Sequence, residues 1–193
     1  PGLIVSGPTP ETKASQAPIE NRSQLVEALS SGCKPKADWR IGTEHEKFPF
    51  LTDSLKPVPY EGERSIRALL EGLRDRFGWQ GVYEGNSIIA LSDPKGLGNI
   101  SLEPGGQFEL SGAPLETIHD TCNEVHEHLA QVREVGDALG IGFLGLGASP
   151  IWTRAETPVM PKGRYAIMSA YMDKVGRYGR DMMFRTCTVQ TNL

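Results

Sequence analysis

The chain has 193 residues, 38% of them hydrophobic, which is enough to bury one core of domain size. A formal charge of −4 gives no electrostatic reason to approach nucleic acid or an anionic membrane, so small-molecule partners are expected. No apolar run approaches the roughly 18 residues that a membrane-spanning helix needs, and no secretory or transit pattern opens the chain, so a cytoplasmic protein with no membrane partner is expected.

Residues 1 to 20 hold four prolines among Gly, Ser and Thr and read as a flexible lead-in, leaving residues 21 to 193 as the folded part. Leu25, Val26 and Leu29 recur at helical spacing up to Gly32, which predicts a short first helix. Ile41 to Phe50 predicts a strand. Ile66, Leu69, Leu70, Leu73 and Phe77 line one face of a second helix that Gly78 ends. From Val82 to Leu110, short apolar stretches are broken by Gly85-Asn86, Asp93-Pro94-Lys95-Gly96 and Pro104-Gly105-Gly106, the turn chemistry of an antiparallel meander.

A long helix follows from Pro114 to Leu139, with Leu115, Ile118, Cys122, Val125, Leu129 and Val132 as its apolar stripe. Gly142 to Gly147 predicts a short buried strand, 148 to 162 a loop, and Arg164 to Lys174 a helix carrying Ile167, Met168, Tyr171 and Met172. A last strand is expected from about Met183 and still runs at Leu193, so a truncated chain with an unpaired edge open to self-association is expected. Without βαβ regularity and with a turn-rich middle, the class is α+β. Three dispersed cysteines, Cys33, Cys122 and Cys187, predict reduced thiols, with Cys122 packed in the long helix's stripe rather than joined to His119 and His126 in a zinc site. Gly140 to Gly145 fits a dinucleotide-binding pattern only in letters, because it follows a helix and enters a strand.

Three stretches carry chemistry. In Gly42-Thr43-Glu44-His45-Glu46-Lys47-Phe48, strand alternation puts Glu44 and Glu46 on one face and His45 and Lys47 on the other. Paired like charges persist if they are solvated or if a cation sits between them. In Ser101-Leu102-Glu103-Pro104-Gly105-Gly106-Gln107-Phe108-Glu109-Leu110, Gln107 and Glu109 share a face opposite Phe108 and Leu110, and the glycine pair is either an ordinary turn or a place of close approach. In Arg185-Thr186-Cys187-Thr188-Val189-Gln190-Thr191-Asn192, alternation lines up Thr186, Thr188, Gln190 and Asn192, a face suited to a polar ligand or to water.

With Met160-Pro161-Lys162-Gly163-Arg164-Tyr165, these stretches resemble, in order and from Ile41 to Leu193, the plant and proteobacterial type of glutamate–cysteine ligase. The resemblance implies a fold similar to the glutamine synthetase catalytic domain: a curved antiparallel sheet with packed helices, here incomplete. It implies Mg²⁺ and ATP, with L-glutamate and L-cysteine as substrates joined through a γ-glutamyl phosphate, the first step of glutathione synthesis. The metal role falls on Glu44, Glu46, Glu103 and Glu109, with Gln190 a neutral ligand or γ-phosphate contact. Arg185 takes a catalytic role toward substrate carboxylate or phosphate, while Thr186, Thr188, Asn192, Lys162 and Arg164 are expected to bind substrate. Another carboxylate–amine ligase of the same fold and an inactive ligand-binding module are the rival readings.

Overall fold

The computed structural model describes residues 18–95 and 98–193; the first seventeen residues of the expected lead-in, and Gly96 of the meander turn, lie outside them. Among the described residues there are five α-helices and one seven-stranded, wholly antiparallel, open sheet, so the α+β class holds. The helices are α1 (Arg22–Ser30), α2 (Ile66–Phe77), α3 (Ile118–Leu139), α4 (Gly163–Val175) and α5 (Gly179–Arg185). The strands are β1 (Gly42–Leu51), β2 (Gln80–Glu84), β3 (Ser87–Ser92), β4 (Asn99–Leu102), β5 (Phe108–Ser111), β6 (Ile141–Leu144) and β7 (Val189–Asn192). Their order is β2-β3-β4-β5-β1-β6, with β7 also on β1. The ten-residue β1 is the organiser: its first half pairs with β7 and its second half with β6, while β5 takes the other side.

Local chemistry explains most boundaries. Gly78 ends α2 in the left-handed region at φ 77°, where a side chain would be strained. The long helix starts at Ile118 rather than Pro114 because Thr117 caps it: Thr117 Oγ1 accepts from Asp120 N, and the Asp120 carboxylate accepts from Thr117 N, each at 3.2 Å. Helices α2 and α3 cover one face of the sheet, where Ile66, Leu69, Leu70 and Leu73 meet Val132, Val135, Ile100, Leu102 and Phe108 in one buried cluster.

The expected face of α2 is the one it buries, but for α1, α3 and α4 helical periodicity locates the helix better than the face turned inward. The face of α3 turned inward is Thr121, His128, Val132, Val135 and Gly136, one residue round from the expected stripe; Ile118 is 69% exposed. Cys122 is therefore exposed rather than packed, with Sγ 3.4 Å from His126 Nδ1. In α4 only Tyr165 is buried and Ile167 is 75% exposed, and α1 buries nothing.

The expected strand from Met183 is also corrected. Residues Gly179–Arg185 are helical, because Met183 and Phe184 both enter the core and Asp181 pairs with Arg185 one turn on at 3.1 Å. The strand begins only at Val189.

Candidate functional site

Register assembles the acidic face. Across β1 and β5, Glu44 stands opposite Ser111 and Glu46 opposite Glu109; across β4 and β5, Ser101 stands opposite Glu109; across β1 and β7, Glu44 stands opposite Gln190 and Gly42 opposite Asn192. Directly paired residues project to the same side of a sheet, so these side chains share the face turned away from α2 and α3. Ser101 Oγ donates to Glu109 at 2.7 Å and Ser111 Oγ at 3.0 Å. Glu46 accepts from the Thr188 N–H at 2.9 Å and its hydroxyl at 3.1 Å; Glu44 accepts from Gln190 at 2.7 Å and Asn192 at 3.1 Å.

The electrostatics of this face are those of crowded carboxylates. Burial pushes Glu46 above the ordinary carboxylate range; the two Thr188 donors pull it back, and the charges of Glu109 and Glu44 push it further up. Glu103, just past β4, is pushed up to about 7, first by burial and then by Glu109, against the opposing pull of Lys162. Lys162, buried ahead of α4, donates to Leu102 O at 2.7 Å and is drawn down to about 8 by burial and Arg164, while Glu103, Glu109 and Glu84 hold it up. Arg164 and Lys162 both lie over the Tyr165 ring, at 5.1 and 5.4 Å, and the Glu84 carboxylate accepts from Gly163 N at 2.8 Å, securing the start of α4.

Seven of the expected site residues thus come together: Glu44, Glu46, Glu103, Glu109, Thr188, Gln190 and Asn192, with Lys162 and Arg164 at the Glu103 end. Arg185 and Thr186 do not. They leave the alternating row because α5 replaces the strand; Arg185 binds Asp181, and the Thr186 hydroxyl donates to Met182 O at 2.6 Å. Gln107 also leaves the expected strand face: it precedes β5 and its amide is buried in the turn.

A buried network on the opposite side of β1 went unforeseen. Lys47 is 2% exposed and His128, on α3, 3%. The Lys47 ammonium donates to His45 O at 2.9 Å, to Phe108 O at 3.4 Å and to His128 Nε2 at 2.9 Å. Because an ammonium only donates, Nε2 is the acceptor and the imidazole proton sits on Nδ1. Burial lowers Lys47 to about 8 and the imidazole well below its usual range, so the histidine is neutral. The available signal was a lysine alternating onto the Phe108 side, which can be buried only with acceptors around it.

Among the described residues no three Asp, Glu, His or Cys side chains converge tightly enough to form a ready-made metal cage. Magnesium does not require one, since one or two carboxylates usually hold it together with waters and substrate phosphates. Hard oxygen donors fit that ion, as does the crowding of charge that raises the proton affinity of Glu46 and Glu103; Glu46, Glu103 and Glu109 form no ion pair among the described residues.

Residues 40–193 match the model of glutamate–cysteine ligase family 2. The chain is 55% identical over 192 residues to glutamate–cysteine ligase A, chloroplastic, of Oryza sativa subsp. japonica, covering 100% of this chain and 38% of that protein. It is 56% identical over 191 residues to the chloroplastic glutamate–cysteine ligase of Medicago truncatula and 55% to that of Arabidopsis thaliana, covering 99% of this chain and 36% and 35% of those proteins. The chain thus spans little more than a third of these relatives. Their names also correct the expected cytoplasmic placement: they are plant proteins called chloroplastic, which points to a plastid.

Proposed function

Since the chain belongs to the glutamate–cysteine ligase family, we propose that its acidic sheet face is one wall of a site joining the L-glutamate γ-carboxylate to the amine of L-cysteine with ATP. A carboxylate does not react with an amine, so the γ-carboxylate first takes the ATP γ-phosphoryl; the cysteine nitrogen then attacks the acyl carbon and phosphate leaves. Magnesium, when bound, neutralises phosphate charge during that transfer. Glu44, Glu46, Glu103 and Glu109 are the residues we assign to holding it, with Gln190 as a neutral ligand or γ-phosphate contact.

Thr188 and Asn192 orient Glu46 and Glu44 through the hydrogen bonds they donate. Lys162 and Arg164 supply positive charge beside Glu103, suited to a substrate carboxylate or the transferred phosphate. Arg185, held by Asp181, is left out of this assignment. The observation that carries the reading is the Glu46–Glu109 register, which sets two carboxylates side by side next to Glu103 on one face.

The activity is a property of the full-length protein, and it is tested there. Incubation with ATP, Mg²⁺, L-glutamate and L-cysteine should yield γ-glutamylcysteine by mass detection, with ADP formed in step. ATP turnover with another amine acceptor and none with cysteine would reject the assignment in favour of a different carboxylate–amine ligase.

A further inference from the structure

The Pro104-Gly105-Gly106-Gln107 turn does more than reverse the chain between β4 and β5. Gln107 is 2% exposed, and both ends of its amide are used. Its Oε1 accepts from Gly105 N at 2.8 Å, and its Nε2 donates to Thr186 O at 2.8 Å and to Met183 O at 3.4 Å. Those carbonyls belong to the end of α5, where a helix leaves its last C=O groups without intrahelical partners. The neighbouring carbonyls are met from elsewhere: Met182 O by the Thr186 hydroxyl, and Arg185 O by Ser149 N. Gly105 permits the approach, because a Cβ there would overlap the carbonyl oxygen of Phe184.

What lies on either side of this contact gives it meaning. The turn joins Glu103 to Glu109, and two residues past Thr186 the chain delivers Thr188 to Glu46. The backbone there is tied a second time, Glu46 N donating to Thr188 O at 3.1 Å. We infer that Gln107 is a positioning residue: its amide docks the end of α5 on the Glu103–Glu109 turn and so sets Thr188 and Gln190 within hydrogen-bonding reach of Glu46 and Glu44. The consequence for turnover rests on the reading of the acidic face proposed above.

Gln107→Met keeps an unbranched buried side chain of similar length but removes all three hydrogen bonds; Gly105→Ala keeps the glutamine but sets a Cβ against the Phe184 carbonyl oxygen, and also against Gln107 Oε1 and Thr157 Cγ2, so the two sides of the contact are pushed apart. In the full-length protein, hydrogen exchange of the amides at 186–192 should become about ten-fold faster in both variants, with those at 88–91 in the β3 core unchanged. The Mg²⁺ concentration for half-maximal turnover should rise by about ten-fold as Glu46 and Glu44 lose their fixed partners. If Gln107→Met does not fold, Gly105→Ala decides by the same readouts. Unchanged exchange at 186–192, or equal acceleration at 88–91, overturns the positioning role. A loosened 186–192 segment with parental turnover and magnesium demand upholds the docking contact and counts instead against the ligase reading of the acidic face.

Discussion

Glu103 is where the crowding of charge should be measurable without any substrate. Its carboxyl rises from 4.5 to about 7, so between those values the folded chain holds a proton that the unfolded chain has released. The stabilising contribution is complete below about 4.5 and is lost as pH climbs through about 7, on the order of 1–3 kcal/mol after allowing for partial solvent contact. In metal-free protein the change in unfolding temperature from pH 5.5 to pH 7.5 should therefore be more negative in the parent than in Glu103→Gln, because His45 and His128, whose imidazoles burial holds down, act in the opposite direction equally in both. An equal change in parent and variant would mean that other groups set it. The motif Ser-Leu-Glu-Pro-Gly-Gly-Gln-Phe-Glu made both glutamates visible as candidates. The upward push on Glu103 was not visible, because it depends on burial and on the charge of Glu46 arriving from β1, far away in sequence.

At the level of elements, α3 fastens to the sheet through charge as well as apolar packing. His128 stacks on Phe108 with ring centroids 6.5 Å apart and accepts from Lys47. His128→Phe keeps the stacking but leaves the buried ammonium one acceptor short. It should cost about 1–3 kcal/mol in denaturant unfolding at an unchanged m value. Adding Lys47→Met should restore part of that loss, because removing both partners of a buried polar pair is far less damaging than removing one. No loss in His128→Phe would show that the network contributes nothing. This network also explains why the apolar stripe misled: the 3.6-residue period located α3, yet Lys47's demand for an acceptor turns His128 inward and leaves Ile118 and Cys122 outside. Glycine was a better guide than hydrophobicity, since Gly78 and Gly140 end α2 and α3 in the left-handed region at φ 77° and 63°. The end of the chain misled differently. Alternation from Arg185 to Asn192 is real only from Thr188 onward, because the paired Asp181 and Arg185 and the two buried residues between them belong to a helical turn.

For the whole molecule, the meander of β2 to β5 could be read from its turns, while the central placement of β1 could not. Nothing in its spacing says that one ten-residue strand pairs with β5, β6 and β7. That placement makes the face: it sets Glu44 between Ser111 and Gln190, and Glu46 beside Glu109 with Thr188 on its carboxylate. One experiment bears on it before any other: γ-glutamylcysteine formation by the full-length protein across a range of magnesium concentrations, for the parent and for Glu46→Gln. The glutamine keeps the size of the side chain and can still bond both Thr188 groups, so the fold should persist with metal-free thermal stability equal to the parent's or slightly higher. Turnover should fall at least about a hundred-fold at every magnesium concentration tried. Parental turnover at the same magnesium concentration would contradict the metal-holding face and leave Glu46 an ordinary strand residue bonded to its neighbour.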